Sequence, residues 1–273
     1  MNTLFRLLTT AVLVPPVIWL LLHAGAWPLT FGVVTGFLVL WGGFEWSGFL
    51  GVRSRLARGF YVLFLLSVML LSLRYVPATL AMFVGAGWWV MAGVLMACWP
   101  RFSRFWGKSP VIKAIMGILC LVPAWMAINF ILFVNGSVTL LFLFALVWSA
   151  DSGAWFFGKI WGRHRLSPAI SPGKTLEGVL GGMMTALLVA GLAFWWSGTP
   201  RQVLPGAMLL SFVTVLFSVL GDLFESMLKR EAGLKDSGRL LPGHGGLLDR
   251  IDGLLAASPV YVTGAMLLDH VLR

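Results

Sequence analysis

Nine apolar runs, at about 8–26, 28–50, 59–76, 78–99, 111–134, 137–161, 176–197, 203–228 and 253–271, occupy most of this 273-residue chain. Each is close to the ~20 residues that an α-helix needs to cross a bilayer. In hydrocarbon every backbone N–H and C=O must find its partner within the protein, and apolar runs of this length do so as helices. The expectation is an all-α, polytopic integral membrane protein with about nine transmembrane helices. It forms one membrane domain over 1–273, with N-terminal helices in 1–100 and the chemistry-bearing helices and loops in 101–273. The composition excludes a soluble domain. Only 11% of residues are charged and 59% are hydrophobic, against ~25% charged in soluble proteins.

The N-terminus raises a processing question. Arg6, an apolar run and then Ala24-Gly25-Ala26 resemble a cleavable leader. The chain re-enters the membrane repeatedly afterwards, so this segment is expected to stay as an uncleaved first span. Basic residues set the orientation. With nine spans, 17 of the 20 Lys and Arg fall on the side shared by the N-terminus and every second loop, leaving only Arg74, Arg201 and Arg273 opposite. This places the N-terminus and the four basic loops in the cytoplasm and the C-terminus outside. Most of the net charge of +10 is thereby a matter of topology. No nucleic-acid motif accompanies it, and no nucleic-acid partner is expected.

Acidic residues are more informative. Eight of the ten lie between Asp151 and Asp252, several within or beside apolar runs. A carboxylate at mid-membrane costs ~2.5–3.5 kcal/mol to insert, so such residues line polar cavities and bind something. Glu45 stands apart, late in the second run, as an interfacial or interhelical partner. Cys98 and Cys120 lie in apolar runs without CxxC spacing or His partners, as small buried hydrophobes. His23, His164, His244 and His270 show no zinc-ligand spacing.

Two segments carry the candidate chemistry. In the first, Asp151 sits within a span, with Trp155 and Gly158 on its helical face, and a short basic loop leads to Ser171-Pro172-Gly173-Lys174-Thr175-Leu176-Glu177. The Gly-Lys-Thr resembles the close of a phosphate-binding P-loop. That motif needs Gly where Pro168 stands, and a strand ahead of it, so the P-loop reading fails. What remains is an anion site at a helix start: Gly173 admits close approach, Lys174 supplies charge, and Ser171 and Thr175 supply hydroxyls. The plainer reading is a capped helix, with Ser171 as N-cap and Pro172 at the first helical position. In the second segment Asp222, Glu225, Ser226 and Lys229 form one helical stripe. Arg230, a loop with Lys235 and Asp236, a Gly-rich turn with His244, and Asp249-Arg250-Ile251-Asp252 follow. Carboxylates among cations and glycines at a membrane face suit holding a divalent ion while basic groups hold phosphates.

These residues resemble a known family. The run from Ser226 to Asp252, with Leu228-Lys229-Arg230, Lys235-Asp236, Gly238, Leu241-Pro242, His244-Gly245-Gly246 and Asp249-Arg250-Ile251-Asp252, is similar to the signature of the phosphatidate cytidylyltransferases. Asp151-Ser152-x-Ala154-x-Phe156-x-Gly158 and Ser171 to Gly178 match upstream, while the first hundred residues match only as apolar spans.

The resemblance implies transfer of CMP from CTP to phosphatidate, giving CDP-diacylglycerol and pyrophosphate. It also implies Mg²⁺, with room for a second cation, a homodimer, and an inner-membrane location with the active site facing the cytoplasm. On this footing Asp222 and Asp249 are expected as the principal metal ligands, with Asp252 and Asp151 as ligands or supporting acceptors. Lys174, Lys229, Arg230 and Arg250 would hold phosphates. Ser171, Thr175, Glu177, Lys235 and Asp236 would line the substrate site, and His244 would orient or touch a phosphate. The rivals are an inactive paralogue, an ion-coupled transporter, and the CDP-alcohol phosphotransferases, whose motif wants Arg where Ala257 stands.

Overall fold

The computed structural model describes residues 15, 16, 18–52, 54–101, 103–238, 240 and 245–272. Arg6, Arg239, His244 and Arg273 lie outside them, as do residues 8–14 and 17 of the first apolar interval. Helix α1 spans Pro28–Trp46, α2 Arg55–Tyr75 and α3 Ala78–Ala97. After a one-turn helix at Ser103–Trp106, α4 runs over Pro110–Phe130 and passes through a π-helical segment, Ile131–Asn135, into α5, Gly136–Trp161. A hairpin of β1 (Arg165–Ser167) and β2 (Ser171–Thr175) follows. Then come α6 (Leu176–Trp196), α7 (Leu204–Glu231) and α8 (Leu248–Leu272).

Local chemistry sets the helix starts. Ser54 and Ser109 accept from Ala57 N and Ile112 N, and prolines open α1 and α4, where a missing N–H costs nothing. Seven helical stretches among the described residues are long and apolar enough to span a bilayer, one of them the 52-residue run Pro110–Trp161. At ~1.5 Å per residue this run is more than twice the ~30 Å hydrocarbon thickness. It breaks at Gly136, whose φ of 85° is open to glycine and strained for other residues, and so accounts for two of the expected intervals. The protein is a multi-pass, helical membrane protein.

The hairpin corrects one expectation. Ser171-Pro172-Gly173-Lys174-Thr175 is not the start of a helix but strand β2, pairing Arg165 with Thr175 and Ser167 with Ser171. The helix cap is therefore Thr175, whose Oγ1 accepts from Gly178 N at 3.1 Å. Leu176 N donates to His164 O at 2.9 Å, closing the hairpin against the first turn of α6. Pro172 is tolerated because a two-stranded ribbon consists only of edges.

One hydrophobic core runs from Leu21 on the N-terminal segment to Val262 on α8. A smaller cluster of Leu146, Ala150, Met183, Ala186, Ala190 and Val215 joins α5, α6 and α7. Helices α5 and α6 are in close contact through small residues: a Cβ on Gly178 would press on Ala154 O and Gly158 Cα, and one on Gly153 on Thr185 and Gly182. Such seams let helix backbones approach where lipid offers no hydrophobic drive for association. The outer surface is apolar, as hydrocarbon requires. Trp195 and Trp196 stand exposed at the end of α6, a placement suited to the membrane–water interface.

Candidate active site

Strand β2 and helices α5, α7 and α8 bring the charged residues of both segments together. Lys174 on β2 forms an ion pair with Asp222 on α7, both partly solvated. Asp151 on α5 stands close to Asp222, Lys174 and Arg250. Asp252, one turn into α8, faces Asp222, Glu225 and Lys174.

A second, drier knot lies beside the first. Lys229 Nζ donates to Asp249 Oδ1 at 2.5 Å and to Glu225 Oε2 at 3.3 Å, with its side chain only 12% exposed. The other oxygen of Asp249 accepts from Ser237 N at 3.0 Å, Ser237 Oγ at 2.9 Å and Gly246 N at 2.8 Å. Asp249 thus closes the loop between α7 and α8. Expected as a principal metal ligand, it has both oxygens engaged by protein donors.

Most of these charged groups, though not Glu225, line one cavity of about 1300 Å³. Asp151, Lys174, Asp222, Asp249, Arg250 and Asp252 form its polar end, with Thr175, Lys229 and Asp236 beside them. Phe31, Val39, Trp125, Phe144, Trp148 and Leu255 form an apolar wall that continues among the helices. The other candidates sit elsewhere. Arg230 Nε donates to Ile170 O at 3.2 Å, tying α7 to the hairpin turn. The Glu177 carboxylate accepts from Arg163 N at 3.1 Å, from His164 N at 3.2 Å and from His164 Nδ1 at 2.5 Å, which clasps the start of the hairpin to α6. Ser171 and Lys235 are outside the cavity lining, and His244 is outside the described residues.

Two contributors escaped sequence reasoning. Lys159 lines the cavity one helical turn beyond Trp155, over whose ring it lies. The apolar wall draws on residues 20–39, where hydrophobic spacing gives no hint of a ligand.

The chain matches the Cytidylyltransferase family over residues 4–267. It is 39% identical over 262 residues to a phosphatidate cytidylyltransferase of Pseudomonas aeruginosa, covering 94% of each chain. It is 37% identical over 256 residues to one of Haemophilus influenzae, covering 86% of this chain and 89% of that protein. A third, from Brucella suis, is 51% identical over 136 residues, 48% of each chain.

This chain belongs to the Cytidylyltransferase family.

For a cytidylyltransferase the balance of charge at the site matters. Asp151, Asp222, Glu225, Asp249 and Asp252 gather around Lys174, Lys229 and Arg250, so carboxylates outnumber the cations among them. Glu225 Oε1 is buried and has no hydrogen-bond partner among the described residues. Neither do three Asp, Glu, His or Cys side chains among the described residues form a ready metal cage. Mg²⁺ does not need one: it keeps several waters and binds through one or two carboxylates together with substrate phosphates. The hard oxygen donors and the surplus of negative charge fit such an ion.

Proposed function

We propose that the chain transfers the CMP moiety of CTP to phosphatidate, releasing CDP-diacylglycerol and pyrophosphate. The observation that carries this is the single cavity in which a charged end runs directly into an apolar wall. A nucleotide alone would need no such wall, and a lipid tail alone would need no such cluster. The names of the relatives support the same substrates.

The reaction is a displacement at phosphorus. A phosphate oxygen of the lipid bonds to the α-phosphorus of CTP, the bond from that phosphorus to the bridging oxygen breaks, and pyrophosphate leaves with the electron pair. The attacking oxygen is already anionic at neutral pH, so no strong base is required. The work left to the protein is positioning and charge neutralisation.

Lys174 suits a phosphate contact, because its one ion-pair partner among the described residues is Asp222 and both are open to the cavity. A phosphate arriving at Lys174 would release Asp222. Arg250 stands at the same end for a second contact. Lys229 is held by two carboxylates in a dry setting and serves instead to fix Asp249. Asp222, with Asp252 and Asp151, would hold Mg²⁺, which when bound neutralises phosphate charge. The proposal places the enzyme in the inner membrane with this cavity open to the cytoplasm, as the distribution of Lys and Arg suggests. It also includes a homodimer, on the family resemblance, to be checked by the protein mass within the detergent micelle.

The test is pyrophosphate release by detergent-purified protein. Turnover should require CTP, phosphatidate and Mg²⁺ together and stop with EDTA. Turnover that ignores the lipid, or folded protein that neither binds CTP nor turns over, would sink the reading.

A further inference from the structure

Hydrophobic spacing in the N-terminal third marks no ligand, yet one of its side chains reaches the residues that hold Asp249. Glu45, near the end of α1, is the only acid before Asp151, and it is 5% exposed. Its Oε1 accepts from Leu247 N at 3.0 Å and Trp41 Nε1 at 3.3 Å. Its Oε2 accepts from Leu248 N at 2.9 Å and Ser237 Oγ at 3.3 Å.

Leu247 and Leu248 are the residues at which α8 begins. The first N–H groups of a helix have no partner within it, and the helix dipole favours a negative charge there. A cap usually comes from the residue just ahead of the helix. Here it comes from a helix about two hundred residues earlier in the chain. Ser237 Oγ lies between two carboxylates, Glu45 and Asp249. Gly238 and Gly246 cover the Glu45 carboxylate so closely that a Cβ on either would collide with it. Ser237, Gly238 and Gly246 thus pack around a buried charge.

We propose that Glu45 is a positioning residue for the reaction. It anchors the start of α8 together with Ser237, Gly238 and Gly246, and through them sets where Asp249, Arg250 and Asp252 stand. The inference rests on the cytidylyltransferase reading above and adds that α1 is part of the catalytic apparatus.

Glu45→Gln keeps the size of the side chain but turns an NH₂ group toward N–H donors. In detergent it should lower kcat by about 10- to 100-fold, in line with the cost of ~1 Å misplacement near a reacting centre. KM for CTP and for phosphatidate should stay within about threefold, and the thermal midpoint within a few degrees. Tryptic cleavage after Lys235, two residues before the anchored Ser237, should become several-fold faster, a readout that needs no activity. Glu45→Gln protein with parental kcat and parental cleavage overturns the proposal. So does a loss of activity that only follows a fall in the thermal midpoint. If Glu45→Gln does not yield folded protein, Gly238→Ala takes its place, since the added Cβ displaces the same carboxylate without removing its charge. It must show the same kcat-selective loss, and parental kcat there overturns the proposal as well. Failure of the parent enzyme to use CTP would instead strike at the activity itself, so the two failures are distinguishable.

Discussion

Lys174 and Lys229 show how two lysines of similar sequence context come to differ. Each borders an apolar run and each finds a carboxylate. Among the described residues Lys174 has one ion-pair partner and stays partly solvated, while Lys229 has two and is nearly dry. A solvated pair contributes little stability and can be exchanged for a phosphate. Breaking a buried pair leaves an unpaired charge. Lys174→Met should therefore cut pyrophosphate release by about 10²-fold, the scale for losing one donor to developing charge, with an unchanged thermal midpoint. Lys229→Met should lower both activity and the midpoint in a detergent melt. That these residues matter was legible from the cost of placing charge beside apolar runs. Their division of labour was not, because it depends on which carboxylates the folded loop delivers. Asp249 is the clearest instance. Its motif position marks it, but only the closed loop reveals that Ser237 and Gly246 fill one of its oxygens.

The stretch from Ser171 to Thr175 teaches the same lesson for elements. Ser-Pro ahead of an apolar run is a fair local signal for a helix start. Pairing with Arg165 to Ser167 overrides it and moves the cap to Thr175. That pairing lies across a turn, and residue spacing alone carries little trace of it. The hairpin holds Lys174 over Asp222, so the cap has a functional consequence. Thr175→Ala should cost about 1 kcal/mol, as lost N-caps do, and lower activity by loosening β2. Thr175→Ser, which keeps the accepting oxygen, should restore most of both. A melting series beside the pyrophosphate assay checks this, and equal stability of the Ala and Ser forms would refute the capping role. The long helices were legible throughout, since a run of twenty apolar residues leaves the backbone little choice. The joint between α4 and α5 was less so: the gap at 135–136 was visible, but the continuous helical path through Ile131–Asn135 was not.

For the molecule as a whole, the apolar exterior and the charged cavity place opposite demands on one chain, and the basic residues reconcile them. The exterior fixes residence in a bilayer, and the cavity needs water and nucleotide at one face only. The proposed orientation puts Lys108, in an exposed basic loop, on the side of the nucleotide, and Arg201, exposed between α6 and α7, on the other. The distribution of Lys and Arg argues for this, and labelling can decide it. Cys98 and Cys120 are free thiols, partly and fully buried, and replacing both by Ser gives a clean background. In sealed right-side-out vesicles, a membrane-impermeant maleimide should modify Arg201→Cys at once and Lys108→Cys only after permeabilisation. The reverse pattern would put the cavity on the outer face, away from cellular CTP, and the proposed reaction could not then run in the cell. Labelling of both without permeabilisation would mean that an even number of spans separates the two loops, against the three that lie between positions 108 and 201 in the interval count. The parity of the crossings between these loops and the side of the chemistry are thus both read from one pair of cysteines.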